Sequence, residues 1–372
     1  MKRVFVLIAS LIFFSVFIQN TNSELQYTVK EFAGDADQTV SLIFAGDIMG
    51  HSPQFQAAYH PIDKTYHYDI CFRHVKTHIE SADFAIANLE VTLAGAPYSG
   101  YPNFSSPDAL LDGMKNAGYD VILTANNHIV DRGKKGLERT NTIINNRQLK
   151  QAGSYLNIAQ RDSIYPLFIE QKGVKIALLN CTYGTNGIAV SEPNMVNMLD
   201  TVQIKEDICK AKSRDADLIF MTVHWGAEYM TKANDEQRKL AHFFVRQGVN
   251  LVIGSHPHVV QNAEILYNID SIAVPVFYSL GNSISNQRKP DTDGGIMVKV
   301  EIGTQSKQIL ETSYLPVYVH KGVLDNVYQY HLIPTTDFVN DPSRFMLNKT
   351  DSAALMYFDN ETRKRLNNIK IF

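Results

Sequence analysis

The chain has 372 residues, 45% hydrophobic and 20% charged, an ordinary globular composition long enough to bury one large core. Its 35 basic and 38 acidic residues leave a net charge of −3, so nothing in the charge calls for a nucleic-acid partner or a disordered acidic tail. Three widely spaced cysteines, Cys71, Cys181 and Cys209, lie in apolar or amphipathic surroundings, which predicts buried thiols with at most one bridge.

In chain order, Lys2 and Arg3 precede the apolar run 4–18 and a polar stretch from Gln19. A basic head before a run short for a membrane span is the pattern of a secretory signal, with cleavage expected after Ser23; an uncleaved anchor is the alternative. No cysteine follows directly, so a lipid-modified N-terminus is not supported. The expected organisation is a signal or anchor over 1–23, one domain over 24–330 and a C-terminal extension over 331–372 packed on it. That predicts an exported protein, periplasmic, envelope-bound or extracellular.

Six runs read as strands: 39–45, 83–87, 120–125, 175–180, 217–223 and 250–254. Each is apolar at both alternating positions, as in a sheet covered on both faces. Between them lie helices with end signals. One has Ser106 as N-cap, Pro107 at its first position and Gly118 as its stop. Another has Asn234 and Gln237 as a capping pair, an apolar stripe of Leu240, Phe243 and Phe244, and Gly248 at its end. Beyond about 260 strand follows strand, and a final helix is expected over 352–366. The alternation predicts an α/β fold with mixed β-sheets.

The strand ends carry the chemistry. "LIFAGDIMGH" leaves its strand at Asp47, "DFAIANLE" at Asn88 and Glu90, and "VILTANNH" at Asn126, Asn127 and His128. "LIFMTVHWGAEY" leaves at His224, and "NLVIGSHPHVV" at His256 and His258. Carboxyl ends of strands in α/β sheets converge on one crevice, where ligands bind. Imidazole, carboxylate and carboxamide together suit Mn, Fe or Zn as a divalent ion, and the lack of cysteine excludes a structural zinc site. The set is too large for one tetrahedral ion and suits two ions ~3.5–4 Å apart. Asp131 either orients His128 or caps the following helix. Trp225 and Glu228 flank a ligand and shape a substrate pocket, although Trp225 equally suits the core. Asn282, in "SLGN", is expected in a turn near the site. His60, His67, His74 and His78 lack partner carboxylates on a strand end and read as solvated or helix-face residues.

"GDIMGH", "ANLE", "ANNHIVDRG", "HWGAEY", "GSHPHVVQ" and "YSLGN" resemble the motifs of the bacterial capsule-synthesis family, the CapA or poly-γ-glutamate synthesis proteins. That family is similar to a divergent branch of the calcineurin-like metallophosphoesterases. The resemblance spans roughly 40–300 and implies a four-layer αββα sandwich with a centre of one or two ions between the sheet ends. It implies metal-binding roles for Asp47, Asn127, His224, His256 and His258, with Glu90 as the bridging carboxylate. It makes His128 the general acid or phosphate contact, with Asp131 beside it. Asn88, Trp225, Glu228 and Asn282 are the expected substrate contacts. Met49 stands where the superfamily has a metal-binding His, and His51 is a substitute at a different spacing.

The activity this implies is metal-dependent hydrolysis or transfer in cell-surface polymer synthesis, on a phosphoester, a phosphoanhydride or a γ-linked amide. Proton abstraction next to a carbonyl, as in an epimerase, is a further chemistry within reach. The rival is a non-catalytic export or anchoring factor that holds an anionic polymer beside a membrane synthase. Expected partners are therefore an anionic polymer or a phosphorylated or peptide substrate, and membrane synthase subunits.

Overall fold

The computed structural model describes residues 38–372, so the signal segment expected over 1–23 and its cleavage point lie outside the described residues. Two mixed sheets face each other. The first has nine strands, and its main path runs Val327–Pro334, Ile309–Leu324, Gly294–Gly303, Thr39–Ile48, Phe84–Leu89, Val121–Leu123, Lys150–Ala152. The second has six, in the order Ala263–Tyr267, Ala273–Phe277, Leu251–Ser255, Leu218–His224, Val174–Thr182, Leu167–Gln171. In each sheet the central strands that end at the motifs are parallel. Antiparallel strands close both edges of the second sheet and one edge of the first, whose other edge, Lys150–Ala152, runs parallel to Val121–Leu123.

The opening strand shows why its residues are apolar on both sides. Val40, Leu42 and Phe44 point one way and join a core shared with the second sheet, where Phe44 meets Phe220 at a ring separation of 6.2 Å. Ile43 and Ala45 point the other way, into a second core with Tyr68, Phe72, Leu110 and Met114 from the outer helices. Helices Thr201–Ser213 and Asp235–Gln247 cover the far face of the second sheet through Ile204, Ile208, Ala241 and Phe244. The result is the αββα layering that the family resemblance implied, built on the mixed sheets expected from the sequence pattern. Burying each such large side chain contributes about 1.5–3 kcal/mol, which makes the inter-sheet layer the main source of stability.

Local end signals held in one helix and shifted in another. Asn234 accepts from the Gln237 amide at 2.8 Å while Gln237 Oε1 accepts from the Asn234 amide, and Gly248 closes the helix at φ +99°. The helix expected from Ser106 begins instead at Ala109. The Ser106 amide is already donated to Thr92 O, and Asp108 is drawn into a two-pronged pair with Arg139 at 2.6 and 2.8 Å. Gly118 ends that helix in the left-handed region, at φ +105°.

The C-terminal helix, Lys349–Arg365, starts from an Asn348 cap, and its Leu355 and Phe358 join the shared core. The boundary expected at 330/331 falls inside the strand Val327–Pro334, which pairs with Ile309–Leu324. All three cysteines are free; Cys71 and Cys181 are buried, whereas Cys209 is exposed on its helix, contrary to expectation. Among the described residues no helix is long and apolar enough to cross a membrane.

Candidate metal centre

Both sheets deliver their polar residues at the same end. Asp47 lies beside Asn88 in the strand pairing, and His224 lies beside Ser255 in the other sheet. Asn88 and Glu90 are two apart, so the pleat puts them on one side. The register shifts between Ala45 and Asp47, an irregularity that re-aims the Asp47 side chain. Gly46 permits it, because a Cβ there would sit 2.1 Å from Gly281 O. His256 and His258 adopt φ of +97° and +58°, a strained left-handed backbone that directs two imidazoles inward from a three-residue turn.

The donor atoms converge. His224 Nε2 is 2.8 Å from Asn127 Oδ1 and 3.4 Å from Glu90 Oε1. His258 Nδ1 is 3.3 Å from Asp47 Oδ2, and its Nε2 is 3.8 Å from Glu90 Oε1. Glu90, His224 and His256 offer atoms within 4.8 Å of one another, and so do Asp47, Glu90 and His258. Glu90 belongs to both groups, as a bridging carboxylate would. Glu228, which is exposed, makes a third group with His256 and His258.

Glu90 decides what this set could hold. It is completely buried, yet neither carboxylate oxygen has a hydrogen-bond partner, and the same is true of His256 Nδ1. Burial, and then the neighbouring Asp47 carboxylate, push the Glu90 carboxyl well above its ordinary range. Burial and neighbouring imidazoles hold His224 well below its usual value and bring His256 down to about 3. Burial therefore disfavours the charged forms of His224, His256 and Glu90 alike. Imidazoles whose charged form is disfavoured, beside a carboxyl without partners, are the setting in which a divalent ion takes a proton's place. The residues fit such an ion.

His128 stands at the edge of this set. Asp131 Oδ2 accepts from its Nδ1 at 2.7 Å and also from the Phe104 amide at 2.8 Å, so Asp131 orients the ring and does not cap the next helix. His128, His258, Met49, His51, Glu228, Tyr101, Tyr229 and Gln287 line an open cavity of about 240 Å³.

The model of the family "Bacterial capsule synthesis protein PGA_cap" matches residues 41–287, a span containing every one of these residues. The chain belongs to the PGA_cap family. The capsule biosynthesis protein CapA of Bacillus anthracis is 28% identical over 330 residues, 85% of this chain and 75% of that protein. The PGA biosynthesis protein CapA of Bacillus subtilis is 25% identical over 299 residues, 77% of this chain and 73% of that one. Among solved structures, a Mycoplasma pneumoniae protein described as a novel phosphatase is 18% identical, with a TM-score of 0.46 over 76% of this chain and 95% of that chain. The calcineurin-like phosphoesterase YfkN from Bacillus subtilis is 13% identical, with a TM-score of 0.42 over 88% of this chain and 99% of that chain.

In this PGA_cap chain several expected substrate contacts have other work. Trp225 is buried between Phe244 and Tyr278 and donates to Tyr278 O at 2.9 Å, a core residue. Asn282 is fully buried: its Oδ1 lies 3.2 Å from His258 Nδ1 and its amide is spent on Gln287 and Thr292 O, so it steadies a histidine. Asn88 is also buried and links Asp47 to Asn126. Glu228 alone of the four faces the cavity. His51 caps a helix and lines the cavity, with burial bringing it down to about 4, but it joins none of the close donor groups and so does not replace the ligand missing at Met49.

Three neighbours had no sequence signal. Ser255 Oγ is 2.9 Å from His224 Nδ1, Asn186 Oδ1 accepts from Asn127 Nδ2 at 3.1 Å, and the Tyr183 ring lies 4.6 Å from that of His256.

Proposed function

We propose that this PGA_cap protein is an exported, metal-dependent hydrolase or transferase acting on a phosphoryl or γ-glutamyl acyl centre during synthesis of a capsule-type anionic polymer. The observation that carries the reading is Glu90, wholly buried and unpartnered among Asp47, His224 and His258. Asp47, Glu90, Asn127, His224, His256 and His258 would hold one or two ions of the Mn, Fe or Zn type. When bound, such ions polarise a phosphoryl or acyl oxygen and acidify a water.

The remaining steps belong to the chain. A carboxylate only accepts, so Asp131 fixes the His128 proton on Nδ1 and leaves Nε2 to exchange a proton with the substrate. His128 is then the general acid for a departing oxygen or nitrogen. Glu228, at the cavity wall, disfavours a second negative charge beside it and admits a substrate whose anionic group is turned to the ligand side. The buried Asn88 and Asn282 hold Asp47 and His258 in place without meeting substrate.

The test is turnover of a phosphodiester and of a γ-glutamyl peptide by the full chain with Mn, Fe or Zn, beside Asn127→Ala and His128→Ala. The expected result is metal-dependent turnover of one substrate class, lost in both variants. Tight polymer binding with no turnover under any metal would instead establish the non-catalytic anchoring role.

A further inference from the structure

A second set of metal-type donors lies on the surface and shares no residue with the centre. The short strands Tyr59–His60 and Thr65–Tyr66 pair as an antiparallel hairpin, with His60 opposite Thr65. Its tip carries Asp63, the carboxylate partner that sequence spacing alone did not place beside these histidines. His60 Nδ1 is 3.1 Å from Asp63 Oδ1, and His67 Nε2 is 3.2 Å from Asp63 Oδ2. All three donors lie within 4.8 Å of one another.

Two metal–ligand bonds of about 2.1 Å, meeting at the angles of a tetrahedral or octahedral ion, put their donor atoms roughly 3.0–3.4 Å apart. Both measured separations, to the two different oxygens of Asp63, fall in that interval, and an ion there would displace the Thr65 hydroxyl, 2.8 Å from His67 Nε2. The scaffold is braced: Tyr59 and Tyr66 pack with ring centres 5.3 Å apart, Tyr66 packs on Tyr98 at 5.3 Å, and the His67 amide is tied to Ala58 O. Thr65 donates to Asp63 through its amide at 3.0 Å and its hydroxyl at 2.6 Å, which holds that carboxyl ionised below its usual range. The three side chains are 48%, 46% and 50% exposed, leaving water free to complete a coordination shell.

We propose that His60, Asp63 and His67 form a separate, solvent-open site for one borderline divalent cation, Zn²⁺ or Cu²⁺. Two imidazoles and one carboxylate prefer such ions to Mg²⁺ or Ca²⁺, which favour all-oxygen shells. The bound ion cross-links the two ends of the hairpin, so its effect is local order.

The test is calorimetric titration of the full chain with Zn²⁺, comparing wild type with the His60→Ala, His67→Ala double variant. Wild type is expected to take up one equivalent more than the double variant. Asp63→Asn is expected to weaken that extra equivalent about tenfold or more while leaving the others unchanged. Cu²⁺ bound to the extra site should give an electron paramagnetic resonance spectrum with two nitrogen ligands, lost in the double variant. The metal-free melting temperatures of the three proteins should agree, since the altered side chains are half exposed. Equal stoichiometry in wild type and double variant would overturn the proposal. Activity of the central site plays no part in the readout.

Discussion

Two sets of enclosed histidines in this molecule look alike by residue type and differ in what surrounds them. His224, His256 and His258 share their space with Asp47 and Glu90, whose carboxylates are wholly buried. His74, His320 and His331 form a row elsewhere, with ring centres 6.3 and 6.1 Å apart. The carboxylates nearest that row, Asp325 and Asp351, are partly exposed and stay 3.8 and 3.7 Å away. His331 is served by a backbone carbonyl, Val327 O, at 3.2 Å. Burial lowers His224 and His256 in the first set and His74, His320 and His331 in the second. Only the first encloses carboxyl groups with its imidazoles, and imidazoles beside buried carboxyl groups are a ligand set, whereas imidazoles stacked on one another are packing.

The largest effect that would sharpen this contrast is at Glu90. Glu90→Gln keeps the shape and removes the charge, and is expected to weaken Mn²⁺ or Zn²⁺ binding at the centre by about 100-fold or more in calorimetry. The metal-free variant should melt no lower than wild type, because an unpaired buried acid has been removed. His331→Gln, the control from the other set, should leave metal binding unchanged; a matching loss there would break the comparison.

Asp131→Asn comes next. It leaves His128 in place but frees its tautomer, so kcat should fall about 100-fold with KM little changed and the pH–rate profile displaced. A change confined to KM would mean that Asp131 acts on substrate binding.

Acid should expose the second set's contribution to stability. The folded state holds His331 down at about 4, against 6.5 for an exposed imidazole, so between those values the unfolded chain binds the extra proton. This contribution is complete above pH 6.5 and is lost as the pH falls towards 4. His331→Leu should flatten that limb of the melting curve relative to wild type. An unchanged limb would show that the row does not titrate on unfolding.

The smallest effect expected is at Trp225. Trp225→Phe removes the bond to Tyr278 O and part of a packed ring, costing about 1–2 kcal/mol of stability in a denaturant titration. Kinetic constants should stay as they are. A raised KM would return Trp225 to the substrate pocket.

What could be read from the sequence follows from the same physics. Strands covered on both faces are apolar throughout, so the six central runs stood out, and polar residues placed abruptly after them marked the centre. Trp225 was misleading because it follows His224 directly, and the pleat turns adjacent side chains to opposite sides. Asn282 looked available for substrate, but its oxygen is engaged by His258 and its amide nitrogen by Gln287 and Thr292. Tyr183 and Asn186 reach the site through a loop whose geometry no local pattern encodes, and Ser255 reaches it through its strand register opposite His224. Asp63 sits between His60 and His67 in sequence, yet only the hairpin brings both rings onto one carboxylate.

The central claim is that Glu90 is buried in order to meet a cation. Anomalous diffraction at a metal absorption edge, on crystals of the full chain grown with Mn²⁺ or Zn²⁺, addresses it directly. The account predicts a peak in contact with Glu90 and flanked by Asp47, His224, His256 and His258. Well-ordered density around an undisturbed, protonated Glu90 with no such peak would contradict it.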